Sequence, residues 1–344
     1  MSGARRIGYH LSSEQFAANE LVANAVAAEQ AGFDQVWVSD HFHPWQDNQG
    51  HASHAWVILS AIGQATSRIP MGTCVTCPTY RYRPADVAHA FATLANLYGG
   101  RVFLGLGSGE SLNEIPSGGG WGPLRERTER MAESVELIRK LWSGEWVNHE
   151  GPNYPLQGAK LYDIPPMPVP IYIAASGPKN ARLVGRIGDG WVTVGAAVLD
   201  PAIQGAFREG AVEAGKDPDA MPVMVEHYLV VGGKAEAEEA AHRWRFIATA
   251  WDLLNEPDPR EIQRSAEAST SLEEVHGKWT VSEDPEEHAA AIEAYFQAGV
   301  TDVFVHSGQE DQARVIDFFG KRVLPLIRRE GASIAQVAAT GAET

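Results

Sequence analysis

A chain of 344 residues that is 44% hydrophobic and 21% charged fills one large domain or two modest ones, and it is not a disordered polymer. Its 28 Lys and Arg against 44 Asp and Glu give a net charge of -16, which argues against non-specific attraction to nucleic acid or to an anionic membrane. No apolar run approaches the about 20 residues of a membrane helix, two cysteines cannot staple a secreted scaffold, and Met1 to Arg6 leads straight into a strand-like segment, so a cytoplasmic location is expected.

Short β-branched runs alternate with longer segments of helical period along the whole chain. Strands are predicted at Arg6–Leu11, Gln35–Asp40, Met71–Val75, Val102–Ser108, Val169–Ala175, Trp191–Val194, Val223–Val231 and Thr301–His306. Helices are predicted between them at such stretches as Leu21–Ala31, Ala85–Tyr98, Arg125–Trp142, Asn180–Ile187, Ala235–Leu253 and Glu286–Ala298. Eight strand–helix beats predict an α/β fold of the (β/α)8 TIM-barrel type, a single domain over 1–331 followed by a flexible tail over 332–344. A doubly wound open sheet usually has fewer strands, and no Gly-x-Gly-x-x-Gly opens a helix after the first strand. Two stretches break the rhythm: 143–168, rich in Gly and Pro, and 255–284, polar and punctuated by Pro. Both are expected to be loop insertions, the second on the face where barrel active sites form.

Strand two ends Ser39-Asp40-His41-Phe42-His43-Pro44-Trp45, an acid, two imidazoles and an indole suited to handling protons beside a flat ring. A capped, exposed loop accounts for the same residues. The His41-x-His43 spacing also occurs in metal-dependent barrels, but strands five and six offer no further ligands, so no metal is expected. Strand three ends Cys74-Val75-Thr76-Cys77. A redox dithiol normally sits at a helix N-terminus after a first strand, so these two are read as small packing residues. Strand four runs through Gly105, Gly107 and Gly109 to Glu110, glycines that let a ligand or another backbone come close and an acid at the mouth. Strand five ends Ala175-Ser176-Gly177-Pro178 at a helix start, where free N–H groups suit an anion, although a plain helix start reads the same way.

Taken together, Ser12-Ser13-Glu14-Gln15-Phe16, the strand-two segment, Cys74 to Tyr82, Ala90-Phe91-Ala92-Thr93-Leu94, Gly107 to Glu114 and Ala175 to Pro178 resemble the F420-dependent dehydrogenase branch of the bacterial luciferase-like family. The resemblance covers nearly the whole chain and implies a TIM barrel, often homodimeric, that binds the deazaflavin F420 at its C-terminal mouth and passes hydride between substrate and cofactor. It implies His41 as base at the substrate hydroxyl, Glu110 as its acid partner and Trp45 against the substrate. It implies cofactor contacts at Asp40, Cys74, Val75, Thr76, Asn113, Ala175, Ser176, Gly177 and Pro178, and a cis peptide before Val75.

Glucose-6-phosphate dehydrogenases of that family hold phosphate with two lysines and an arginine. The corresponding places here read Gly195-Ala196-Ala197-Val198, Asp252-Leu253-Leu254-Asn255 and Lys278, so two of those three cations are missing. Only Arg243, Arg245, Arg260 or Arg264 could replace them. The strand-two and Cys74–Cys77 segments are closer to the secondary alcohol dehydrogenases of the family, with Trp45, His227 and Trp244 expected to wall a small pocket and Glu14 at its base. A helix-core place for Trp244 stays open. The resulting expectation is a dehydrogenase passing hydride from a secondary alcohol or sugar hydroxyl to F420; a sugar-6-phosphate dehydrogenase is the alternative and an FMN-dependent luciferase-like monooxygenase the further one.

Overall fold

The computed structural model describes residues 5–249 and 255–328. Eight parallel strands close into a barrel: β1 (Arg6–Leu11), β2 (Gln35–Val38), β3 (Met71–Thr73), β4 (Val102–Leu106), β5 (Ile171–Ala174), β6 (Gly190–Val194), β7 (Val223–Val231) and β8 (Asp302–His306). Closure is made by β8 against β1, where Arg6 pairs with Asp302 and Tyr9 with Val305. Each strand is followed by a helix on the outer ring, including Ala18–Ala31, Ala55–Ala65, Pro84–Tyr98, Leu124–Trp142, Pro178–Ile187, Pro201–Glu213, Pro285–Gln297 and Gln312–Phe318. The expected TIM barrel is therefore present.

Alternation along the strands builds two cores. Val36 and Val38, Leu104 and Leu106, Ile171 and Ile173, and Val303 and Val305 pack outward against the helices. Each such side chain contributes about 1.5–3 kcal/mol on burial. Inward-facing Trp37, Phe103, Tyr172, Val192, Met224 and Phe304 fill the barrel lumen, with Trp37 stacked on Phe304 at 3.4 Å between centroids. Gly8 is glycine for that reason, since a Cβ there would lie 2.3 Å from the Phe304 ring. At the lower end Asp302 is fully buried and takes Arg6 in a bidentate pair, at 2.6 and 3.0 Å, together with the Gln35 amide.

Asp-Pro steps start three of the α-helices and one 3-10 turn, Pro218–Ala220. Asp200, Asp258 and Asp284 each accept a backbone N–H as N-cap, and the proline that follows supplies the first helical φ. The insertion at 143–168 is not bare loop: Val147–His149 and Leu156–Ala159 form an antiparallel ribbon. From it the Tyr154 hydroxyl reaches the carbonyls of Pro78 and Thr79, at 3.0 and 2.6 Å. The insertion at 255–284 holds helices Pro259–Ser269 and Leu272–His276 and a short strand, Thr280–Ser282, parallel to the top of β7. Expected strand ends at 39–40, 74–75 and 107–108 lie beyond the paired residues. The helix expected over Ala235–Leu253 runs only from Lys234 to Arg243, stops at Trp244 and gives way to a 3-10 turn over Arg245–Ala248. Residues 250–254, with Leu253 and Leu254, and the tail expected over 332–344 lie outside the described residues.

Candidate active site

Beyond the last paired residue of β2, the chain carries Ser39, Asp40 and His41 across the rim of the mouth. Asp40 is buried and turned away from His41. Its Oδ1 accepts from Arg81 at 2.7 Å and from the Tyr82 hydroxyl at 3.2 Å, and its Oδ2 accepts from Thr76 Oγ1 at 2.6 Å. Arg81 also donates to the Asp40 carbonyl at 2.9 Å, so this buried ion pair pins the start of the His41 loop to the loop after β3. Trp56 Nε1 donates to Thr76 Oγ1 at 3.1 Å. The side chains of Asp40 and Thr76, expected as cofactor contacts, are thus engaged within the protein, and Arg81 and Tyr82 are the partners that sequence reasoning missed.

His41 is buried at its base. Its Nδ1 lies between the His43 carbonyl oxygen at 3.0 Å and Asn113 Nδ2 at 3.3 Å, and its Nε2 faces the mouth. Around Nε2 stand Glu14 Oε1 at 3.3 Å and Glu110 Oε2 at 3.9 Å. Glu14 is held by the Ser39 hydroxyl, which donates to its other oxygen. Glu110 is partly exposed and accepts from Asn113 Nδ2 at 2.9 Å. Asn113 Oδ1 takes the backbone N–H groups of Phe42 and His43, at 2.8 and 3.3 Å, which settles the orientation of its amide. Asn113, expected as a cofactor contact, therefore ties the histidine loop to Glu110.

Next to this group lies a half-buried apolar seat. The Cys74–Val75 peptide is cis, and Cys74 and Val75 are half-buried at the mouth, with Ala174 and the exposed Val194 across from them. Gly107 lets Val75 come close, since a Cβ there would stand 2.5 Å from Val75 Cγ2. Burial, helped by Glu226 at Cys74 and Glu114 at Cys77, pushes both thiols well above their usual range, so neither is a ready thiolate. Ala175 is fixed by Trp191 Nε1, which donates to its carbonyl at 2.8 Å. The helix Pro178–Ile187 then begins at Gly177 without a side-chain cap, with Ser176 exposed beside it and Lys179 in its first turn. A flat apolar ring on the seat and an anionic group at this helix start match the residues present.

Aromatic residues form the far wall. Trp45 stacks on Phe246 at 4.6 Å and 14°, and Tyr228 stacks on Trp279 at 5.9 Å and 15°. Gln46 joins the two sides, its Oε1 accepting from the Phe246 N–H at 2.9 Å. Trp244 is 2% exposed, donates to Gln15 Oε1 at 2.7 Å and meets His306 edge-on at 4.3 Å, so it backs the wall instead of lining the pocket. His227 is not in the wall at all. Inward positions of β7 are Met224, Glu226 and Tyr228, and His227 points outward to Thr280 Oγ1 at 3.1 Å and to the Tyr295 ring. The expectation for His227 fails because a neighbour on a strand faces the opposite side. Lys278 is exposed, and its charge acts on Glu274.

Three of the four arginines considered for a phosphate are ion-paired, and the fourth, Arg245, keeps a buried Nε without a partner among the described residues. Arg243 pairs with Glu310 and Arg264 with Glu261, Arg260 pairs with Asp258 at 2.6 Å, and Arg245 donates to the Glu267 carbonyl at 3.4 Å. Sequence reasoning also passed over a cluster on the barrel floor, His10, Glu226 and His306; the signal was available in the parity of β1, β7 and β8.

The chain is 49% identical over 325 residues to the F420-dependent hydroxymycolic acid dehydrogenase of Mycobacterium tuberculosis (strain ATCC 25618 / H37Rv), covering 94% of this chain and 89% of that one. It is 41% identical over 335 residues to the F420-dependent glucose-6-phosphate dehydrogenase of Mycolicibacterium gilvum (strain PYR-GCK), covering 95% and 99%. The structure superimposes on an F420-dependent secondary alcohol dehydrogenase in complex with an F420-acetone adduct with a TM-score of 0.88 at 35% identity, covering 94% of this chain and 99% of that one. The model of the luciferase-like monooxygenases matches residues 4–302, and with the barrel, the rim histidine and these likenesses together the chain belongs to that family.

Proposed function

We propose that the chain is an F420-dependent oxidoreductase that takes a hydride from the carbinol carbon of a neutral secondary alcohol. The observation that carries this reading is His41, whose Nε2 faces the mouth between the carboxylates of Glu14 and Glu110. Nε2 accepts the substrate hydroxyl proton as the hydride leaves, and Glu14 and Glu110 stabilise the imidazolium that forms. Asn113 keeps Glu110 and the loop in register. F420 on the seat would supply the two-electron acceptor for the hydride. Cys74, Val75, Ala175, Ser176, Gly177 and Pro178 would hold it, with the uncapped helix start suited to an anionic group.

Trp45 and Phe246 take the apolar part of the substrate. The relatives and the structural neighbour act by name on hydroxymycolic acid, glucose 6-phosphate or a secondary alcohol, and the ion pairs of Arg243, Arg260 and Arg264 argue against the phosphate. Each charge-assisted hydrogen bond missing around a phosphate forfeits about 1.5–3 kcal/mol. A homodimer working in the cytoplasm is part of the same proposal.

Titration with oxidised F420 and, separately, FMN tests the cofactor, with saturable quenching expected for F420 alone. Initial rates for 2-propanol, a long-chain secondary alcohol, glucose and glucose 6-phosphate, each at low and moderate ionic strength, test the substrate. The neutral alcohols should lead. Saturable FMN binding with none of F420 overturns the cofactor, and a salt-sensitive preference for glucose 6-phosphate overturns the substrate.

A further inference from the structure

Three adjacent strands turn an ionisable side chain inward at one level below the rim: His10 on β1, Glu226 on β7 and His306 on β8. The two imidazoles stack with centroids 4.2 Å apart and planes 4° apart. Both Nδ1 atoms approach the same carboxylate oxygen, Glu226 Oε1, at 2.8 Å from His10 and 2.7 Å from His306. His10 is 6% and His306 1% exposed, while the Glu226 side chain keeps 18% toward the mouth.

Counting protons shows what this arrangement requires. An ionised carboxylate only accepts, so each short contact needs either a proton on the facing nitrogen or a cation between the two atoms. At His10 the proton is not available, because the Trp37 indole N–H, a donor only, lies 2.7 Å from the same Nδ1. That nitrogen presents its lone pair, and the proton is left on Nε2, which is buried without a partner among the described residues. At His306 the other ring nitrogen lies 2.8 Å from Ser12 Oγ. A hydroxyl both donates and accepts, so where it accepts from Nε2–H, Nδ1 is a second lone pair toward Glu226.

We propose that His10, Glu226 and His306 form a divalent-cation site in the floor of the mouth. The three donor atoms lie within 4.8 Å of one another, close enough to share one ion at bonds of about 2.0–2.2 Å. Two imidazoles and a carboxylate suit Zn²⁺, Co²⁺ or Ni²⁺ better than Mg²⁺ or Ca²⁺, which prefer oxygen alone. Ser12 is the outer partner that can accept from His306 Nε2–H while Nδ1 holds the ion. Three protein ligands leave a coordination position free, and since Glu226 is the member that reaches the surface, that position opens to the mouth, where a water or substrate oxygen completes it. The site rests neither on F420 nor on His41, so it stands or falls apart from the proposed hydride chemistry.

The test uses tag-free chain, stripped with a chelator, dialysed against Zn²⁺ or Co²⁺ and assayed by elemental analysis and visible absorption. Stoichiometric Zn²⁺ and a Co²⁺ d–d band of tetrahedral or five-coordinate intensity are expected. Glu226→Gln and His306→Gln should abolish both signals, Ser12→Ala should weaken affinity by about 10–100-fold, and His149→Ala, on the outer ribbon, should leave binding unchanged. Circular dichroism and thermal melts establish that each variant is folded, and the wild-type signals stand without any variant. A folded wild type that retains neither ion overturns the proposal, as does binding that survives Glu226→Gln.

Discussion

β2 and β7 each carry a histidine near the upper end of the barrel, and the two side chains meet opposite fates. His41 lies past the last paired residue of β2, where the backbone turns across the rim, and its Nε2 faces the mouth between Glu14 and Glu110. His227 lies within β7, on the outward face, sealed between the strand, Thr280 and Tyr295. Burial, with a contribution from His288, pushes its pKa down to about 4. Residue type is the same in both. Position beyond the strand and side of the pleat decide which imidazole can exchange a proton with a substrate and which is a neutral packing group.

The contrast is sharpest in His41→Ala. Turnover should fall about 100–10,000-fold while F420 affinity, read by fluorescence, stays close to wild type; a parallel loss of both would make His41 a cofactor contact instead of a base. Arg81→Met probes what holds the rim in place, because it leaves the Asp40 carboxylate buried and unpaired. A destabilisation of about 3–5 kcal/mol is expected in urea unfolding, and a loss below about 1 kcal/mol would mean that the pair behaves as a surface contact.

His227 supplies the pH arm. Its folded pKa of about 4 lies below the ordinary 6.5, so the folded state resists protonation that the unfolded state accepts. Stability is complete above about pH 6.5 and falls as pH drops toward 4, by up to about 3 kcal/mol. His227→Leu should flatten that part of the stability profile without touching the pH dependence of turnover; an altered rate profile would move His227 into the site. The smallest effect is expected from Cys74→Ser with Cys77→Ser, which should cost little activity and leave the response to reductant unchanged, since neither thiol is a ready thiolate. Loss of turnover together with a reducible disulfide in the wild type would restore the dithiol.

The barrel was legible because its strands are buried on both faces and read as continuous apolar runs, and Asp-Pro pairs at 200–201, 258–259 and 284–285 mark helix starts by themselves. The rim was legible too, as His41, Glu110 and Asn113 do converge. Parity at β7 was misjudged: an alternating count from Met224 places Glu226 and Tyr228 inward and excludes His227. The pairs Asp258–Arg260 and Glu261–Arg264 are local enough to be read from spacing. Arg243 with Glu310, and Asp40 with Arg81, join segments far apart in the chain and follow only from the closed barrel. The break at Trp244 was hidden as well, because the indole is drawn to Gln15 and His306, contacts of β1 and β8 that override helical period.

The stack of Trp37 on Phe304, with Phe103, Tyr172, Val192 and Met224 around it, stoppers the lumen beneath the site. The mouth is therefore a cul-de-sac: on the proposed function, cofactor, substrate, product and the proton that His41 would take all share one doorway. Traffic through a single doorway has an order. On the proposed function, whatever rests deepest, against Cys74 and Ala174, would arrive first and depart last.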